Sequence, residues 1–362
     1  MKSTKGANFN DGEDPSEVWA ELVSQSTGPL AGMRIIDLTQ QLPGPYGTLL
    51  LSSLGASVVK IEPPSGDVGR HLDPQMFENI NAGKITRVMD LKTLGDRKRL
   101  YDFVSAADVF IEGFRPGVTL RLGCDYPMLK SLRPNLIYVS ISGFGQEGPL
   151  ASHPAHDLNL QAIAGALHPS VEISRIGIPW VDLATGTTAA LAIVAAFHRG
   201  QGAYLDLSLL ETALAWSSVK PNAVNEEEPT YGTLISADGY KMVIALLEDA
   251  MWARLCSALN WEDWRTDSSL SSYLARRSRA REISERLKAT VAQLDYATIA
   301  RLVEQYDLPI GSVDTTLNPD AKSHLAHILH RHRLHGIDGK FTTPLPLGLT
   351  RLLDPSPPLA HP

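Results

Sequence analysis

The sequence predicts an α/β protein: a mostly parallel, helix-covered sheet followed by a smaller α+β unit. Two observations carry this. β-Branched runs alternate with helical patterns through the first half of the chain, each closed by a Gly or Pro stop. Further on, the polar break "NEEEP" (Asn225 to Pro229) precedes a hairpin pattern and then a run of helical patterns. A length of 362 residues suits two such domains.

Taken in order, "MRIIDLT" (Met33 to Thr39) is a strand, "PYGTLLLSSLGA" a helix closed by Gly55, and "SVVKIEPP" (Ser57 to Pro64) a second strand stopped by two prolines. "TRVMDL" from Thr86, the helix "LGDRKRLYDFVSAA", "DVFIEGF" from Asp108, a helix around "YPMLKSL" and "NLIYVSISGFG" from Asn135 continue the alternation. Such βαβ repeats build parallel sheets, which bind ligands at the carboxyl ends of their strands. A helix ends near "FHRG", with Arg199 in its last turn and Gly200 as stop, and "QGAYLDLSLLETALAW" continues the compact part. In the smaller unit "GTLISADGYKMVIAL" reads as a hairpin on its "DG" turn, with helices from Ala250 to about Tyr306. The boundaries are a polar N-terminal extension over 1–27, a large domain over 28–215, a small domain over 228–310 and a C-terminal segment over 311–362, whose proline-rich end "DPSPPLAHP" is irregular.

Composition narrows the function. A formal net charge of −7 argues against a nucleic-acid partner, so any anionic ligand must meet a local basic site. Cys124 and Cys256 stand far apart in no metal or redox spacing, and the N-terminus lacks an apolar signal core. The longest strongly apolar stretch, "AALAIVAAF" (Ala189 to Phe197), is too short to span a bilayer. The expectation is a cytoplasmic protein without membrane partner or metal. A nicotinamide site after the first strand is disfavoured, because "LPGPYG" places Pro45 and Tyr46 where the glycine fingerprint needs free N–H groups and close approach. In "HLAHILHRHRLHG", His324, His327, His330, His332 and His335 lack a carboxylate partner and sit beside Arg331 and Arg333, the pattern of a solvated helix. "HPAHDLNLQAIAGAL" is the more informative stretch: Asp157 suits the N-cap of the helix that follows, and the titratable His156 precedes it.

The segments "GMRIIDLTQQLPGPYGTLLLSSLGASVVKIEPPSGD", "NAGKITRVMDLK", "ADVFIEGFRPGVTLRLG", "NLIYVSISGFGQEGP" and "HDLNLQAIAGAL" resemble, in order and spacing, the family III CoA-transferases and α-methylacyl-CoA racemases, from about Leu30 to Phe341. The resemblance implies a Rossmann-like large domain built from both chain ends, a small central domain and an interlocked homodimer. It implies an acyl-CoA substrate, with no cofactor beyond the CoA of the thioester. Arg115 of "FRPG" is expected at the CoA phosphates, with Lys60 and Lys84 as further candidates, since a polyanion bound to an acidic protein needs fixed cations.

Two chemistries occur in the family. The transferases use a helix-opening Asp as nucleophile under a Gly-rich loop; "WVDLATG" supplies Asp182 with a transferase-like helix start, but no run of glycines lies between Trp216 and Gly232. The racemases add a His in a "GHD" motif and a Glu after the small-domain hairpin, positions matched by His156 and Glu248. The first reading is therefore a racemase that inverts the α-carbon of a 2-methylacyl-CoA, with His156 and Asp182 exchanging the roles of acid and base across it. Glu248 would orient His156, from the partner subunit if the dimer interlocks. Helix-start N–H groups near Asp157 or Asp182 would stabilise the enolate. The alternative is a CoA-transferase with Asp182 as nucleophile; a third reading is an acyl-CoA binding protein without catalysis.

Overall fold

The computed structural model describes residues 7–8, 14–167, 177–219, 228–314 and 323–324. They fall into two compact units, the first extending to Val224 and the second beginning at Asn225.

The first unit is built on a parallel sheet. Its strands are β1 (Ala7–Asn8), β2 (Arg34–Asp37), β3 (Ser57–Glu62), β4 (Ile85–Val88), β5 (Val109–Glu112), β6 (Ile137–Ser142) and β7 (Ala203–Ser208). They lie in the order β1-β4-β3-β2-β5-β6-β7, so a six-stranded core sheet is extended on β4 by a two-residue strand. From β2 at the centre the chain runs outward through β3 and β4, then returns to the other side of β2. The strand order therefore reverses between β2 and β5, the place where open sheets of this kind leave a crevice.

The β-branched runs explain the double-sided sheet. Side chains alternate across a strand, so Ile35 enters one core and Ile36 the other, as do Val58 and Val59 on β3. One core is covered by the helices Pro43–Ser53, Trp180–Arg199 and Leu209–Ser217, the other by Pro15–Gln25, Leu94–Ser105 and Tyr126–Leu132. The Trp180–Arg199 helix is long and apolar enough to cross a membrane by length and composition. Here Val181, Ala189 and Ile193 are in the core, as in the core helix of a globular domain. The N-terminal residues expected to form only a polar extension include an ordered helix: Asp14 caps Pro15–Gln25, and Val18 and Trp19 are buried against the Leu94–Ser105 helix, Trp19 edge-on to Phe103.

Two helices approach closely through glycine. A Cβ on Gly186 would collide with the Pro43 carbonyl oxygen and lie 3.2 Å from the Gly47 nitrogen. This contact seats the Trp180–Arg199 helix against the Pro43–Ser53 helix at the end of β2.

The second unit holds the antiparallel sheet β8 (Tyr231–Ile235), β9 (Lys241–Ala245) and β10 (Ile310–Ser312), in the order β10-β9-β8. Leu234, Met242 and Ile244 pack on Trp252, Leu255, Ile283 and Leu287. Gly239 of the "DG" turn has φ 83°, the left-handed geometry the hairpin needs. Arg276 is fully buried, donating to the carbonyls of Leu270 and Leu247 and to Asp249. Of the His-rich segment only His324 belongs to the described residues, and the C-terminal segment beyond 314 otherwise lies outside them.

Gly186→Ala should lower the melting temperature. Ala gains about 1 kcal/mol of helix propensity over Gly, but a methyl against an immobile carbonyl costs about 1–3 kcal/mol of overpacking. Gly95→Ala, on a helix face with nothing within 4 Å of the new methyl, should hold or raise it. Thermal denaturation followed by circular dichroism checks the contrast; equal shifts would show that the close approach carries no strain.

Candidate active site at the carboxyl edge of the sheet

The loops that follow β2, β5 and β6 enclose a cavity of ≈ 160 Å³ at the strand-order reversal. Thr39 to Gln41, Gly113, and Ser142 with Gly143 form its walls, and His156 and Asp182 both line it. A second cavity of ≈ 320 Å³ shares Gln41, Gly113, Ser142, Gly143, Ala155 and His156 with the first and is bounded by Arg115 and His153. The structure thus brings His156 and Asp182 to one cavity and Arg115 to its neighbour. Arg115 is exposed, and its guanidinium has no ion pair among the described residues. Glu248 lies in the second unit, exposed at the start of the Asp249–Ala258 helix, accepting from the Leu247 N–H at 3.3 Å.

Asp157 does something other than cap its own helix. In the Asp157–Ile163 helix the N-cap is His156, whose backbone N–H donates to Asn159 Oδ1 at 3.3 Å. The Asp157 carboxylate instead reaches 24 residues along the chain: its Oδ2 accepts from the N–H groups of Val181 at 2.7 Å and Asp182 at 3.1 Å. Its Oδ1 accepts from the Gln161 side chain. It therefore caps the Trp180–Arg199 helix, where the preceding Pro179 has no side chain able to do so. The free N–H groups expected to stabilise an oxyanion at this helix start are, for Val181 and Asp182, already taken.

This arrangement sets the character of Asp182. A carboxylate in the first turn of a helix is ordinarily stabilised by the N-terminal dipole. Here burial works against the charge, the neighbouring Asp157 adds like-charge repulsion, and the Asp182 carboxyl is pushed up to about 7. The side chain is half-buried and lines the cavity.

Lys60 and Lys84, expected at CoA phosphates, are buried and line neither cavity. Lys60 donates to the Thr39 carbonyl at 2.7 Å and pairs with Asp67 at 2.9 Å. Lys84 pairs with Asp37 at 3.2 Å and donates to the Pro45 carbonyl at 2.8 Å and Asn81 at 2.9 Å. Asp37 also accepts from the Thr48 hydroxyl at 2.6 Å, from the Thr39 N–H at 2.9 Å and from the Thr39 hydroxyl. Desolvation raises its pKa, but Lys84, Lys60 and the two hydroxyls outweigh that and hold it at about 2. These lysines shape the loop after β2 from behind.

Sequence reasoning missed two further features. Gln41, on the wall of both cavities, is a non-glycine residue at φ 63°. Glu112, the last residue of β5, is buried and accepts from the Phe114 N–H at 2.6 Å, fixing the turn that leads to Arg115. Burial, with a smaller repulsion from Asp206, pushes it up to about 7 against the hydrogen bonds from Ser140 and Phe114. The thiols of Cys124 and Cys256 are raised by burial to about 12, which makes them poor nucleophiles. Among the described residues no three His, Cys, Asp or Glu are grouped to hold a metal ion.

Comparison with known proteins gives a consistent match. The family model of CoA-transferase family III matches residues 30–335. Acetyl-CoA:oxalate CoA-transferase of Acetobacter aceti is 33% identical over 312 residues, covering 78% of this chain and 80% of that one. Succinyl-CoA:glutarate CoA-transferase of Mus musculus is 28% identical over 351 residues, with 89% and 80% covered. Among solved structures, a CAIB/BAIF family protein of Brucella suis superposes with TM-score 0.68 at 27% identity, covering 83% of this chain and 88% of that one. A hypothetical protein of Mycobacterium tuberculosis gives 0.71 at 28%, with 80% and 86% covered.

The electrostatics of this site predict a direct observable. In protein labelled with ¹³C at the Asp carboxyl, Asp182 should titrate near pH 7; in Asp157→Asn, whose amide oxygen still accepts from Val181 and Asp182, it should titrate at lower pH. An unchanged midpoint would mean that Asp157 acts on Asp182 through geometry alone.

Proposed function

The chain belongs to CoA-transferase family III, and on that premise we propose that it is a CoA-transferase that moves CoA between short carboxylic acids with Asp182 as the nucleophile. The observation that carries this reading is the half-buried Asp182 at a helix start in a small cavity, in a chain whose relatives named above are transferases. The transferase alternative is thereby better supported than the racemase reading that His156 and Glu248 led with. The racemase reading keeps one observation, that His156 lines the same cavity as Asp182.

In the transferase cycle the Asp182 carboxylate attacks the thioester carbonyl, the C–S bond breaks, and CoA leaves as thiolate from an aspartyl–acyl anhydride. The thiolate attacks the aspartyl carbonyl, releasing the first acid as its carboxylate and leaving CoA on Asp182 as a thioester. The acceptor's carboxylate attacks that thioester, a second anhydride forms, and returning thiolate takes the acceptor's acyl group and restores Asp182. No net proton is consumed. The partial burial that raises the Asp182 pKa strips water from the carboxylate, so its ionised form is a stronger nucleophile than a solvated one. The larger neighbouring cavity with the exposed Arg115 is where the CoA phosphates would lie. A cavity of ≈ 160 Å³ beside Asp182 fits an acid of a few carbons, in line with the oxalate and glutarate in the relatives' names. The proposal includes the homodimer; Trp216, Leu214 and Leu191 leave apolar surface beside the site's helices for it.

Variants separate the two chemistries. Asp182→Ala should reduce CoA transfer from acetyl- or succinyl-CoA to a dicarboxylic acid by about 10⁴-fold or more, as loss of a nucleophile does. His156→Ala should reduce it by no more than about tenfold, because the cycle moves no proton, whereas a racemase would lose about 10²- to 10⁴-fold with either residue. The ionised nucleophile also makes kcat/KM rise with pH through about 7. Deuterium entering C2 of a 2-methylacyl-CoA in heavy water without any acceptor acid would return the racemase to first place.

A further inference from the structure

The buried charges behind the cleft include a pair that the catalytic cycle does not use. Lys60 and Asp67 are both fully buried. Between them they reach both ends of the loop Thr39 to Gln41. Lys60 Nζ holds the Thr39 carbonyl at 2.7 Å, and Asp67 Oδ1 accepts from the Gln41 N–H at 3.2 Å and the Gly69 N–H at 2.8 Å. Asp67 is itself tied to the sheet, its N–H donating to Glu62 at 3.2 Å, while Arg70 grips Glu62 through two hydrogen bonds at 2.8 and 2.9 Å.

Gln41 needs such a hold. A left-handed φ costs a non-glycine residue of order 1 kcal/mol or more, and it persists only where surrounding bonds impose it. All three residues of the loop line the cavity beside Asp182, and Gln41 lines both cavities. Moving the Thr39 carbonyl or the Gln41 N–H would reshape chiefly the wall facing Asp182, to which all three residues contribute, whereas only Gln41 borders the cavity of Arg115.

We propose that the Lys60–Asp67 pair is a positioning element of the active site, which clamps Thr39–Gln41 in the shape that the reaction at Asp182 requires. It rests on the reading of this cavity as the reaction site. Two consequences distinguish it from a phosphate contact: turnover depends on it, and affinity for the CoA phosphates does not.

The test uses the full-length protein. Lys60→Met leaves Asp67 buried and unpaired, so Lys60→Met/Asp67→Asn is made alongside it; this variant removes both charges while the Asn oxygen still accepts from Gln41 and Gly69. Three experiments are run: steady-state kinetics giving kcat and KM for transfer, calorimetry giving dissociation constants for CoA and 3′-dephospho-CoA, and hydrogen exchange of peptides covering 38–42 and β2. The expected result in whichever variants fold is a kcat lowered at least about tenfold, consistent with the sensitivity of catalysis to small misplacements, both dissociation constants within twofold of the unmodified protein, and faster exchange in 38–42 than in β2. Weaker binding of CoA but not of 3′-dephospho-CoA would overturn the proposal in favour of a phosphate contact. Unchanged kcat with unchanged loop exchange would overturn it outright. If the unmodified protein transfers no CoA, the function reading fails instead, and the binding and exchange measurements still decide the clamp.

Discussion

Charge buried at the carboxyl edge of a parallel sheet is the constraint on which the rest of this site depends. Asp37 and Lys60 face one another across β2 and β3, and with Asp67 and Lys84 they form two acids and two bases out of contact with water. Removing such charges from water costs several kcal/mol each unless every lone pair and proton finds a partner. The partners include backbone groups just beyond β2, the Thr39 and Pro45 carbonyls and the Thr39 and Gln41 N–H groups, alongside the Thr48 hydroxyl and Asn81. Satisfying the buried charges and shaping the loop after β2 are therefore one problem with one solution. Glu112 repeats the device on β5 by holding the Phe114 N–H, but with no cation beside it among the described residues, and burial raises its carboxyl to about 7 where that of Asp37 falls.

The second dependency runs between two helix starts. Pro179 cannot cap the long core helix, and the carboxylate that does so comes from the first turn of another helix. Asp157 thus ties the His156 segment to the Asp182 segment. In doing so it occupies the amides that would have favoured a charged Asp182 and adds its own repulsion. The capping of one helix and the raised pKa of the Asp182 carboxyl come from the same interaction. The glycine contact between Gly186 and Gly47 then seats that helix on the Pro43–Ser53 helix, whose Pro45 carbonyl Lys84 holds.

Much of this was legible in the sequence where the signal is local. Paired apolar residues such as Ile35–Ile36 and Val58–Val59 mark strands buried on both faces, and Gly55 and Gly200 mark helix ends, both at positive φ. Asp182 and His156 were found from motif resemblance, and the structure brings them to one cavity. Elements with weak local signals were not legible. β7 runs straight into a helix at Ser208, which ends the strand and caps the helix, and β10 is three residues long. The helix Pro15–Gln25 hides in a polar N-terminus and declares itself only through Trp19, which needs Phe103 to bury it. The roles of Asp157, Lys60 and Lys84 are set by partners distant in sequence, and a lysine's burial is contrary to its usual exposure. Position in a motif marked these residues as important and misassigned what they touch.

In the proposed cycle Asp182 reacts covalently with the acyl thioester. Incubating the protein with acetyl- or succinyl-CoA, adding hydroxylamine and analysing the peptide that contains Asp182 by mass spectrometry tests it most directly. The expected product is a hydroxamate on Asp182 that requires the CoA ester and is absent without it. An unmodified Asp182 in protein that is still transferring CoA, or an adduct on a different side chain, would contradict it.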